Sequence, residues 1–277
     1  MSNTASGSLF SSDSMIWRVD RELVLLLGGG RALLMQMAHP KVARGVAEHS
    51  SFRQDPLRRL NRTMNTMWSI VFDEPAHAEV SLKRVEEIHR AVRSGSTAKA
   101  PGDFSYDARD PELLFWVHAT LVDSALVTYD RFVRPLSPEE KSRYYDETKE
   151  LARLFAIPEE AIPLSLEAFQ AYLKGMMEHG AISVGPTARL LAREILYPRP
   201  WLLRAGSPLS TFITVGLLPE PLREAYGLEW NEGREKSFRL LGGTVRGLLP
   251  MLPDLLRVVP QARAAEKEFR RVGSFFC

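Results

Sequence analysis

Apolar residues recur at helical spacing along most of the chain, and the breaks between the runs carry helix-capping signals. Asp55-Pro56 reads as an N-cap followed by proline at the first helical position, which predicts a helix to about Phe72. Asp110-Pro111-Glu112 repeats the device ahead of a helix over Leu113–Tyr129. Ser137-Pro138-Glu139-Glu140 adds the capping-box glutamate three residues after the serine and predicts a helix toward Phe155. A further helix is expected over about Glu79–Ser94, stopped by Gly95, and another opens at Ser165 and ends at Gly180. The later segments Pro186–Leu196, Ser207–Leu218, Pro219–Tyr226, Arg234–Leu249 and Pro253–Arg271 are helical and mostly shorter, punctuated by proline. No run of alternating strands with hairpin turns and no clear repeat interrupts this pattern. The expected fold is all-α, one domain over residues 1–277 with 1–15 as a tail. Gly95–Tyr106 (GSTAKAPGDFSY), rich in small and turn-forming residues, is the candidate loop or lid.

Composition adds exclusions. At 277 residues, 45% apolar and 25% charged, with a net charge of +2, the chain is an ordinary globular one at the upper edge of a single core. That charge is too mild to argue for nucleic acid. The lone cysteine, Cys277, excludes an internal disulfide framework, CxxC metal sites and CxxCH haem attachment. Met1–Ser14 is polar and serine-rich without the features of a signal peptide. Leu23–Leu27 runs into Gly28-Gly29-Gly30, far short of the roughly 20 residues needed to span a bilayer. The expectation is a cytoplasmic protein without a transmembrane segment. No charge run or long heptad pattern points to a partner helix, and the oligomeric state is left open.

Several positions carry candidate chemistry. Gly28–Gly30 fits neither the dinucleotide nor the P-loop fingerprint and reads as a helix break or a close backbone contact. On its helix His89 shares a face with Val85, Ile88 and Val92. Either it is a buried histidine bonded to a backbone carbonyl, or it is a neutral imidazole offered to a haem iron from an apolar wall. His118 repeats the pattern with Leu114, Leu121 and Ala125. His39, ahead of Pro40 at an expected helix end, reads as a cap or packing group. Arg59, Arg62 and Thr63 share a helical face beside Leu60, Met64, Met67 and Trp68. They form either a solvated basic face or a cation–hydroxyl edge of a pocket that also takes in Phe115. A charged donor there is worth roughly 1.5–3 kcal/mol to an oxygen ligand or a carboxylate. Glu86-Glu87-Ile88-His89 supplies one Glu-x-x-His, whereas a ferritin-like di-iron site needs two. Zincin and serine-hydrolase motifs are missing.

The stretches Gln36-Met-Ala-His39-Pro40, Val46-Ala-Glu48-His49-Ser50, Arg59-Leu-Asn-Arg62-Thr63, Ile88-His89-Arg-Ala-Val92-Arg93 and Trp116-Val-His118-Ala-Thr120-Leu together resemble the DUF2236 family. That family includes the latex-clearing rubber oxygenases and the fungal oxygenase that shortens a farnesyl chain in mycophenolic acid biosynthesis. The resemblance runs from about Trp17 to Leu249. It implies a globin-reminiscent helical fold around a non-covalent haem b. It places the iron ligand on His89 and the distal basic and hydroxyl residues on Arg59, Arg62 and Thr63. His118, Met64, Met67 and Trp68 complete the expected cofactor surroundings. The rubber enzymes have lysine where this chain has Arg62, and a second histidine where it has Ser94. The expected activity is oxygenation of a small apolar, alkene or isoprenoid substrate by O2, through oxygen insertion or cleavage of a carbon–carbon double bond. A haem or apolar-ligand binding protein without turnover, and a cofactor-free helical module with packed histidines, are the other readings.

Overall fold

A computed structural model describes residues 8–49, 56–94, 105–197 and 206–273, apart from the side chains of 56–61 and 270–273. The fold is all-α. Three helices open it: α1 Met15–Asp20, α2 Gly29–Ala38 and α3 Pro40–His49, with a 3-10 turn at Leu23–Gly28. They are followed by α4 Pro56–Phe72, α5 Pro75–Ala91, α6 Pro111–Phe132, α7 Pro138–Leu154, α8 Leu166–Glu178 and α9 Pro186–Leu196. The last are α10 Ser207–Leu217, α11 Glu220–Tyr226, α12 Glu232–Leu248, α13 Asp254–Arg257 and α14 Pro260–Gly273.

The capping signals ahead of α6, α7 and α8 operate as the sequence predicts, and Asp55, the cap expected for α4, lies outside the described residues. Asp110 accepts from the Glu112 N–H, Ser137 and Glu140 form a reciprocal capping box, and Ser165 accepts from the Ala168 N–H. Gly180, at φ +77°, lies just past the end of α8. Two expectations change. The helix carrying His89 starts earlier, at Pro75, because proline fits the first turn, where its missing N–H costs nothing. The expected helix over Pro253–Arg271 is broken at Val258-Val259: a residue before proline avoids the helical region, and Val258 bridges Glu22 while the Val259 N–H donates to Arg21.

Helix α6 is the axis of the fold. Buried residues lie on every side of it, from Leu113 to Phe132, as expected of a helix enclosed by others. It packs against α2, α7, α12 and the 3-10 turn, while α2 also meets α3, α9 and α10. A close fit explains two of the three consecutive glycines, Gly28 and Gly30. A Cβ on Gly28 would stand 2.3 Å from Thr128 Oγ1, and one on Gly30 would stand 2.2 Å from Thr214 Oγ1. Arg31, next in line, is buried and donates to the Leu217 carbonyl, Ser124 Oγ and Asp123 Oδ2, which ties α2 to α6 and α10. Helices α4 and α5 form an antiparallel hairpin; α4 leans on α1 and α14, whereas α5 packs chiefly on α4.

Candidate functional site: a cavity under the α4–α5 hairpin

A cavity of about 660 Å³ lies between the hairpin and the α2–α6 core. Its inner wall is Gly29, Ala32, Leu33 and Gln36 of α2 with Leu113, Leu114, Val117, His118 and Leu121 of α6. Its outer wall is Arg62–Met64, Thr66 and Met67 of α4 with Val85, Ile88, His89, Ala91 and Val92 of α5. Helix α3 closes one side with Lys41, Val42, Gly45, Val46 and His49, joined by Tyr106 and Ala108; Phe155 and Ile157 complete it.

The hairpin register brings the predicted residues together. Ser81 Oγ donates to Ser69 Oγ at 3.1 Å between the two helices. Arg62 and His89 each lie about two turns from that bond, toward the same end of the hairpin, roughly 11 Å along the axes at 1.5 Å per residue. The segment after α5 secures this end: the Ser94 N–H donates to the Tyr106 carbonyl, and the Ala108 N–H to that of Val92. Tyr106 is buried against the bare backbone of Gly45 and donates its hydroxyl to Glu48 at 2.5 Å. Burial and the Glu48 carboxylate push the Tyr106 phenol up, so it stays protonated as a donor. Glu48 is held below the usual carboxylate range by that hydroxyl and by Arg44. A ring nitrogen of His49 lies 3.1 Å from the Arg93 carbonyl.

The electrostatics are one-sided. Lys41 and Arg62 line the cavity, and no aspartate or glutamate does among the described residues. Lys41 is 3.6 Å from Asp110. On the inner wall His118 is 5% exposed, and burial alone pushes its pKa down to about 4, so the ring is neutral. Its ring lies beside Phe115, and among the described residues it makes no hydrogen bond.

Of the residues singled out in the sequence, Arg62, Thr63, Met64, Met67, His89 and His118 line this one cavity. Trp68 and Phe115 are buried in the core and are not among its lining residues. The side chain of Arg59, and most of the Gly95–Tyr106 lid candidate, lie outside the described residues. His39 is buried at the α2–α3 junction, its Nδ1 without a partner among them, and burial and Lys41 lower its pKa. Sequence reasoning gave no site role to Gln36, Lys41 or Tyr106, and met His49 only inside the resemblance. The helical spacing of Val42, Gly45, Val46 and His49 was the available signal for the α3 wall.

An all-helical chain with a largely apolar cavity and imidazoles on its walls matches one family along most of its length. Residues 17–247 match the model described as the catalytic domain of the ER-bound oxygenase mpaB/B′ and rubber oxygenase, and the chain belongs to that family of oxygenases. Two uncharacterized proteins, from Mycobacterium tuberculosis and Mycobacterium bovis, are each 28% identical over 219 residues, covering 77% of this chain and 84% of theirs. No solved structure matches it. No helix among the described residues is long and apolar enough to cross a membrane.

A haem is the cofactor to test against these residues, and they fit it. The walls are largely apolar, and the half-buried His89 offers an imidazole. Two cations, with no competing acid among the described lining residues, suit a macrocycle that carries carboxylates.

Proposed function

We propose that this chain is a haem-b-dependent oxygenase acting with O2 on a small apolar substrate bearing an alkene or isoprenoid chain. The observation that carries the reading is the placement of His89 with Arg62 and Thr63 at one end of the hairpin, on one cavity whose described walls carry no acid. His89 would hold the iron. Haem, when bound, supplies the oxygen activation, and the protein's part is ligand, donors and access.

The chain's own residues have separable tasks. Arg62, a side chain with donors only, would present its N–H groups to an oxygen atom in the cavity. Thr63, one residue on, adds a hydroxyl. Arg59, whose side chain lies outside the described residues, would be a further cation for a haem carboxylate, and Lys41 is the one that α3 supplies. Met64 and Met67 give a soft, adaptable lining for an apolar chain.

The test is the absorption spectrum and pyridine haemochrome of protein from haem-supplemented cells, wild type against His89→Ala. A Soret band in the wild type that is lost in the variant supports the reading; an unchanged band in His89→Ala overturns it. Oxygen uptake by the ferrous protein with a panel of alkenes then separates turnover from binding alone.

A further inference from the structure

The inner wall carries two polar side chains to which the proposed function gives no task. Gln36 and His118 are 6% and 5% exposed, both line the cavity, and both have unfilled hydrogen-bonding capacity. The orientation of Gln36 is forced by its neighbour. Thr120 has one hydroxyl proton and gives it to the Val117 carbonyl at 2.7 Å. The Thr120 oxygen can therefore only accept, and Gln36 meets it with its Nε2 at 3.1 Å. That leaves the Gln36 carbonyl oxygen, which accepts from no group among the described residues, to the cavity. His118 likewise makes no hydrogen bond there, though a native protein rarely leaves a buried polar group without a partner. Between the two lies an apolar strip of α6, Val117 and Leu121.

From this arrangement we infer that Gln36 and His118 form a subsite for the neutral oxygen-bearing head group, hydroxyl or carbonyl, of an otherwise apolar substrate. The inference rests on the proposed function in taking this cavity as the substrate chamber, and it gives His118 a substrate role rather than one toward the cofactor. The charge distribution selects the head group. A carboxylate on this wall would be stripped of water among Leu114, Val117 and Leu121 with only neutral partners, which is costly. Anions belong instead near Lys41 and Arg62, on the more exposed walls. A hydroxyl suits the inner wall: it donates to the Gln36 carbonyl or to the free nitrogen of His118, and it accepts from the His118 N–H. A pure hydrocarbon would leave both residues unmatched.

The experiment uses the full chain and three probes of equal length, octanol, octane and octanoate, each displacing an apolar fluorescent dye from the cavity. Wild type should bind octanol at least about tenfold more tightly than octane, a difference of about 1.4 kcal/mol, with octanoate the weaker of the two oxygenated probes. His118→Leu and Gln36→Leu should each remove most of that preference without weakening octane, and His118→Gln should restore part of it. No octanol preference in the wild type, tightest binding by octanoate, or an undiminished preference in both leucine variants overturns the inference. If His118→Leu does not fold, Gln36→Leu and His118→Gln decide it alone. Haem content keeps the two readings apart. Loss of the Soret band from His118→Leu but not from His89→Ala would make His118 a haem residue and overturn this inference. Retention of the band by His89→Ala with an intact octanol preference would overturn the iron assignment alone.

Discussion

Arg31 Nη2 donates to Asp123 Oδ2 at 2.5 Å, joining α2 to α6 one and a half turns from His118. The same guanidinium fills its other bonds with the Leu217 carbonyl and Ser124 Oγ, so a buried cation is matched on three sides. The two helices that carry Gln36 and His118 are thus tied together by a buried polar cluster.

Removing that cation should be expensive. Arg31→Met leaves Asp123 and the Leu217 carbonyl without their donor, and the expected loss is about 3–5 kcal/mol, as for other broken buried pairs. Urea unfolding followed by circular dichroism measures it. A loss under about 1 kcal/mol would show that the cluster is not what holds α2 to α6.

Two glycine substitutions should move in opposite directions. Gly28→Ala brings a Cβ to 2.3 Å from Thr128 Oγ1, and overpacking of this kind costs about 1–3 kcal/mol. Gly243→Ala, inside α12 with nothing within 4 Å of the new carbon, should stabilise by roughly 0.5–1 kcal/mol. Paired thermal melts of the two variants check the sign of each.

Asp20 predicts a pH effect. Burial raises its carboxyl from 3.8 to about 7, with Tyr144 donating to it at 3.0 Å and Glu147 adding repulsion. The unfolded chain releases this proton near pH 4 and the folded chain only near pH 7, so stability falls as pH rises between them. Asp20→Asn keeps an acceptor for Tyr144 and removes the charge. The variant should match wild type near pH 4 and exceed it by at least about 1 kcal/mol at pH 8, since a tenfold change in proton affinity is worth about 1.4 kcal/mol. Denaturation midpoints of both proteins across that range decide it, and a gap that does not grow with pH would refute the assignment.

Tyr106→Phe isolates the hydroxyl bond from Tyr106 to Glu48 beside the cavity. The ring still packs over Gly45, but Glu48 loses the partner that does most to hold its pKa low. A carboxylate with a depressed folded pKa stabilises above its ordinary value of 4.5 and loses that contribution as pH falls through the lowered one. The variant should be less stable by roughly 1 kcal/mol at neutral pH, with the gap closing in acid. An equal gap at pH 3 and pH 7, in parallel melts, would count against this account.

Much of the fold was legible because its signals are local. Asp110, Ser137 and Ser165 act on N–H groups two or three residues away, so the starts of α6, α7 and α8 can be read from the chain alone. The break at Val258-Val259 has one local sign, a residue before proline, but the contacts that fix it, to Glu22 and Arg21, lie far off in sequence. For the site, the apolar helical faces beside His89, His118 and Met64 marked real walls. Trp68 and Phe115 carried the same apolar signal yet went to the core, since periodicity says which face is buried but not whether it meets a neighbour or a cavity.

Helix positions, capping and the pairing of cations with apolar faces were therefore set within the sequence, by interactions spanning a turn or less. The tertiary structure decided which faces meet. Only the crossing of α2 and α6 brings the Gln36 amide to Thr120, whose proton is already committed to Val117 within its own helix, and only the Ser69–Ser81 register brings Arg62 and His89 to the same end of one hairpin. Those outcomes depend on contacts between residues distant along the chain, whose geometry no local pattern encodes.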